Sequence, residues 1–183
     1  MAEAFLILGT LVTVYNYIGF RLLAPPYSLS QSVVGFVFGL YLLGFFSSSL
    51  IGMLSHRFSR PRLLQVGLAT MLAGVAITAA RPLAAVIMGV GLVTIGFFAA
   101  QSVASSWLGI RAREAKAQAS ALYLFFYYMG ASLAGSFGGI FWTAYAWNGV
   151  ATFLAILLII ALVIANTRLQ LDERQNLNNA KPN

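Results

Sequence analysis

The chain has 183 residues, 60% of them hydrophobic and only 8% charged, with a mean hydropathy of +0.86. Ordinary soluble domains carry about 25% charged residues, so a water-facing globular surface is excluded. There is no cysteine and a single histidine, which removes disulfides and thiolate or histidine-rich metal centres, and no cofactor is implied. A net charge of +7 would suggest nucleic acid in a soluble domain. Here the charges fall in short loops between apolar runs, so the partner they indicate is the lipid bilayer and not nucleic acid.

A spanning helix needs roughly 20 apolar residues, because about 30 Å of hydrocarbon is crossed at about 1.5 Å per residue. The charges cut this chain into six such pieces, which makes it an all-α membrane protein. The first, about 4–23, follows Met1-Ala2-Glu3-Ala4, which lacks the basic start of a cleavable signal peptide. It ends near Arg21, ahead of Pro25-Pro26. The second, about 33–54, opens after Ser28-Leu29-Ser30 and leads into a basic loop holding His56, Arg57, Arg60, Pro61 and Arg62. The third, about 63–80, ends at Arg81-Pro82, and the fourth is about 83–108. A second charged loop carries Arg111, Arg113, Glu114 and Lys116. From Ala117 to Thr167 there is no charge over about twice the length of one span, so the chain must fold back. The aromatic stretch Trp142 to Trp147, followed by the turn signal Asn148-Gly149, marks the corner. Spans five and six are then about 119–142 and 150–166. Residues 1–167 form one bundle, and 168–183 form a polar tail expected to fray.

Orientation follows from the basic residues. Placing the loops after spans two and four on one side, with the tail, gathers Arg57, Arg60, Arg62, Arg111, Arg113, Lys116, Arg168, Arg174 and Lys181 there. The other side keeps only Arg21 and Arg81, so both termini are expected in the cytoplasm. Span two carries Tyr41-x-x-Gly44 and then Gly52. Span five carries Tyr127-x-x-Gly130 and then Gly138 at the same spacing. The match fits a pair of three-helix units of opposite topology, a 3+3 inverted repeat, although glycine-rich membrane helices also produce such matches by chance.

No Asp, Glu, Lys, Arg or His is expected deep in a span; Arg21 and Arg81 sit at helix ends, where long side chains snorkel. Without a buried base no nucleophile can be activated, so an enzyme is not expected. The remaining polar groups line up on helical faces: Thr13, Asn16 and Tyr17 in span one; Thr94, Phe98, Gln101, Ser102 and Ser105 in span four; Tyr123, Tyr127 and Gly130 in span five. Thr13, Asn16, Tyr17, Phe98, Gln101, Ser102 and Tyr127 are the candidate lining of a solute cavity. Their other use is interhelical hydrogen bonding, worth about 1 kcal/mol each in a membrane. The small-residue tracts 44–52 and 130–139 permit close helix approach.

The loop Gly52-Met53-Leu54-Ser55-His56-Arg57-Phe58-Ser59-Arg60-Pro61-Arg62 resembles the signature loop of the major facilitator superfamily, Gly-x-x-x-Asp-Arg-x-Gly-Arg-Arg, between the second and third helices of a six-helix half. Gly52, Arg57, Arg60 and Arg62 match in type with one slip, while His56 replaces the acid and Ser59 the glycine. The segments Tyr15 to Leu23, Ala100 to Trp107 and Gln118 to Gly130 are similar to those of bacterial inner-membrane transport proteins of that family. The resemblance implies the C-terminal half of a 12-helix fold and a secondary transporter working by alternating access, often a proton-driven efflux antiporter. It also implies a central cavity lined by the first and fourth helices of each half, here those of Asn16 and Gln101. Its partners would be a small-molecule solute and a separate N-terminal six-helix half or a second copy. The competing reading is a truncated, non-transporting membrane fragment or scaffold.

Overall fold

The computed structural model describes the backbone of residues 2–111 and 116–179, and the side chains of residues 2–106, 117–167 and 170. Of the basic residues that set the expected orientation, Arg113 and Lys181 lie outside the described residues, as do the side chains of Arg111, Lys116, Arg168 and Arg174.

All the described elements are helical. Helix α1 is Ala2–Leu23. The second apolar run is α2 Gln31–Val37, a 3₁₀ turn Phe38–Tyr41 and α3 Leu42–Leu54. Ser30 caps it, its hydroxyl accepting from the Val33 amide at 3.4 Å. In a 3₁₀ turn residues three apart eclipse, so Phe38 and Tyr41 fall on one side. Both rings meet Tyr15 of α1, at 5.4 and 4.6 Å between centroids. Helix α4, Arg60–Thr78, starts from an extended Ser59 with Pro61 in its first turn, where a missing N–H costs nothing. Helix α5 is Leu83–Arg111.

The last element, α6, is Lys116–Asn179 and is interrupted at Tyr145 (φ −137°, ψ 18°) and Ala146 (φ 49°, ψ −140°). Phe141 and Phe153 stack across this break at 4.6 Å, whereas a straight helix would separate them by about 18 Å. The chain therefore reverses into a leading arm, 116–144, and a trailing arm, 147–179. The reversal falls inside the expected aromatic corner but earlier than Asn148-Gly149. Gly149 serves close approach instead: a Cβ there would run into the Phe141 carbonyl across the turn. The tail expected to fray continues as helix to Asn179. Among the described residues, five helical stretches are long and apolar enough to cross a membrane, the last of them 51 residues long over 117–167.

Glycine sets the tightest contacts. A Cβ on Gly74 would lie 2.7 Å from the Gly89 carbonyl, and one on Gly89 would lie 2.7 Å from the Gly74 carbonyl, so α4 and α5 touch backbone to backbone. Gly130 on the leading arm packs against the Phe5 backbone of α1 in the same way. Gly44 of α3 lies on the Phe98 ring of α5, where the Ser47 hydroxyl also donates to the Ile95 carbonyl at 2.7 Å. The trailing arm runs antiparallel along α4: Trp147 Nε1 donates to Thr78 Oγ1 at 3.2 Å, and Gln65 Nε2 donates to Asn166 Oδ1 at 3.3 Å. The core between these helices holds Leu64, Leu68, Met71, Val75, Val86, Val90, Leu154 and Leu158. By contrast Phe36, Leu42, Phe45 and Phe46 on α2–α3, and Phe125 and Tyr128 on the leading arm, are exposed. One end of the bundle gathers the ends of α1 and α4, the start of α5 and the α6 corner. The other end carries the 55–59 loop.

Candidate functional site

Gln101 on α5 and the tyrosines of the leading arm form one group. Tyr123 Oη donates to Gln101 Oε1 at 3.0 Å. Its ring stacks on Tyr127 at 5.9 Å and 17°. One turn before Gln101, half-buried Phe98 meets Tyr41 edge-on at 6.1 Å. Tyr41 leads to Tyr15, whose hydroxyl pairs with that of Thr94 at 2.8 Å. An aromatic band thus runs from α1 across the 3₁₀ turn to α5, with an amide and a phenol at its edge. Ser102 is half-buried, and the Ser105 hydroxyl returns to the Gln101 carbonyl of its own helix at 2.8 Å.

The three candidates on α1 divide. Thr13 is fully buried, its methyl group toward Gly138 and its hydroxyl bonded to the Gly9 carbonyl at 2.7 Å, so it joins no open face. Tyr17 crosses to the leading arm, donates to the Gly135 carbonyl at 2.8 Å and stacks on Trp142 at 6.0 Å. Asn16 is exposed, with its amide lying over Gly135. Asn16, Tyr17, Phe98, Gln101 and Tyr127 are half-buried or exposed, while Thr13 and Thr94 are consumed in packing.

In the basic loop, Gly52, His56, Arg57 and Arg62 are exposed and Arg60 is half-exposed. Gly52 faces open space, and no described residue requires its smallness. The turn closes through Ser55 and Arg57 amides donating to the Ile51 and Leu54 carbonyls, both at 2.9 Å. Arg60 and Arg62 sit in the first turn of α4, where the helix dipole opposes positive charge by about 0.3–1 kcal/mol per residue.

Two placements were not foreseen. Glu3, expected ahead of the first span, is buried at 5% exposure in the first turn of α1. Arg21 does not snorkel outward. It folds over the end of α4, donates to the carbonyls of Thr78 and of Ala80 (2.8 Å), and lies 5.2 Å above the Trp147 ring. The signal available for Arg21 was the α4 C-terminus, whose last carbonyls attract a cation. The partner helix was not readable.

These helices and this loop are those of a known class. The family description Major Facilitator Superfamily matches residues 4–182, and the chain belongs to that family. It is 48% identical over 168 residues to the inner membrane transport protein YnfM of Escherichia coli (strain K12), covering 92% of this chain and 40% of that one. It is 46% identical over 158 residues to the uncharacterized MFS-type transporter YybF of Bacillus subtilis (strain 168), covering 86% and 39%. An uncharacterized transporter of Buchnera aphidicola subsp. Schizaphis graminum is 41% identical over 164 residues, covering 90% and 40%. The chain spans about two fifths of the length of the curated relatives it matches. No solved structure matches it significantly.

Proposed function

We propose that this chain forms the six-span C-terminal half of a twelve-helix secondary transporter, moving a small solute across the bacterial inner membrane by alternating access. The spans are those near 4–23, 33–54, 63–80, 83–108, 119–142 and 150–166, with 168–183 as a cytoplasmic tail. In the full-length protein the transport is proton-coupled efflux. The observation that carries the reading is that polar and aromatic groups stay open on two helices: exposed Asn16 beside half-buried Tyr17, and half-buried Gln101 and Tyr127 joined by buried Tyr123. Left against lipid, such groups would cost several kcal/mol. A second six-helix half, or a second copy, covers them and closes the cavity.

Two further features support the reading. An inverted repeat exchanges the contact of spans two and four with that of spans five and one. Gly44 on Phe98 and Gly130 on Phe5 are such a pair, while Gly52 and Gly138 differ in surroundings. The arginines at the α4 N-terminus oppose the helix dipole, so their use lies outside the helix: they latch acidic groups and helix ends of the opposite half. His56 stands where the family has an acid, which removes that part of the latch from this half. We assign the proton-coupling acid to the opposite half, and Glu3 is the residue here whose substitution would revise this.

The test is flux of a panel of labelled small solutes into proteoliposomes. The chain alone gives no flux above empty liposomes. Adding the N-terminal six-helix half of a close relative restores it, and Asn16→Ala or Gln101→Ala lowers it at least about tenfold, the loss of one substrate hydrogen bond. Restored flux indifferent to both substitutions would refute the cavity assignment.

A further inference from the structure

At the end of the bundle away from the basic loop lies a cavity of about 620 Å³. Arg21 and Arg81 line it with Tyr27, Trp142, Tyr145 and Trp147. Arg21 and Tyr27 tie it together: an Arg21 guanidinium nitrogen donates to Tyr27 Oη at 3.4 Å, and Tyr27 Oη donates to the Arg81 carbonyl. Trp147 is held in place by its bond to Thr78. Arg81 is exposed as well as lining this aromatic cup.

The charge balance at this end is unusual. The four acidic residues of the chain are Glu3, Glu114, Asp172 and Glu173. Glu3 sits at the opposite end of α1, about 27 Å along the helix from Arg21. The side chains of the other three lie outside the described residues. Among the described residues no carboxylate lines the cavity, so two arginines share it with amphipathic rings. Guanidinium recognises phosphate oxygens through paired N–H donors, and Trp and Tyr favour headgroup depth.

We propose that this cavity binds one phosphate-bearing anion, with Arg81 as the main contact and Arg21 as the supporting charge. The chemistry is shared by an anionic phospholipid headgroup and a soluble phosphate ester, and the volume accommodates either. Occupation would brace the end of α1, the turn at Arg81 and the α6 corner against one another, because all three line the cavity.

Native mass spectrometry of the full 183-residue chain in neutral detergent tests this. Phosphatidylglycerol is expected to add with a stoichiometry of one, and diacylglycerol, which lacks the phosphate, is not. Arg81→Gln should weaken the adduct about tenfold, one charge-assisted hydrogen bond, with helical circular dichroism unchanged because the side chain is exposed. Arg57→Gln removes the same charge from the loop at the other end of the bundle and should leave binding unaltered. Displacement by glycerol 3-phosphate identifies a soluble ester as the ligand; retention against excess identifies the lipid headgroup. Equal weakening by both substitutions, binding of diacylglycerol as tight as phosphatidylglycerol, or no loss with Arg81→Gln overturns the proposal.

Discussion

At the scale of single residues, many of the described polar groups are spent on specific partners. Tyr123 illustrates the modest size of such bonds in lipid. Tyr123→Phe removes the bond to Gln101 and keeps the stack on Tyr127. It should destabilise the chain by only about 0.6–1 kcal/mol, read from thermal melting in detergent. Arg21 is different, because it carries a full charge and satisfies two carbonyls at the end of α4. Arg21→Gln should cost about 2 kcal/mol in the same assay, since charge-assisted bonds are worth more than neutral ones. A loss no larger than that of Tyr123→Phe would mean that water replaces the guanidinium at no cost. Thr13 and Asn16 show where reading a helical face fails. They lie on one stripe, yet the approach of Gly138 buries the first and leaves the second exposed.

At the scale of elements, two devices shape the bundle. The first is the α6 corner. Ala146 sits at φ 49°, a left-handed conformation that an L-residue with a Cβ holds at a cost of about 1–3 kcal/mol. Ala146→Gly is expected to stabilise by about 1 kcal/mol and Ala146→Val to destabilise, both measurable as shifts in melting temperature. The second is the reciprocal glycine contact of α4 and α5. Gly89→Val would press side-chain atoms into the Thr78 amide and the Gly74 carbonyl, backbone atoms that cannot swing aside. A loss of about 1–3 kcal/mol is expected, because overpacking forces helices apart. The glycines themselves stood in the sequence; which pairs meet did not, because residues 74 and 89 are related only through the turn at 79–82.

At the scale of the whole molecule, the absence of cysteine makes topology directly measurable. Single substitutions Ser59→Cys and Arg81→Cys, probed in intact cells with a membrane-impermeant maleimide, should label from opposite sides. Arg81→Cys should react without permeabilisation and Ser59→Cys only after it, as the basic-residue asymmetry requires. Labelling of both from one side would refute the alternating arrangement of the helices. The double substitution Phe141→Cys with Phe153→Cys should cross-link readily, reporting the reversal within α6.

The sequence by itself determined that the chain is made of bilayer-length apolar helices, where the basic loop lies and which family it joins. These are local properties: lipid demands unbroken apolar runs of about 20 residues, and a loop motif is contiguous. Only the tertiary structure decided which side of each helix faces its neighbours. It turned Thr13 inward and left Asn16 open, set Tyr123 on Gln101, and brought Arg21 over Trp147, 126 residues away. In a membrane no water-facing stripe marks the inner side of a helix. That side is fixed by where glycine lets two backbones touch, and such contacts join distant parts of the chain.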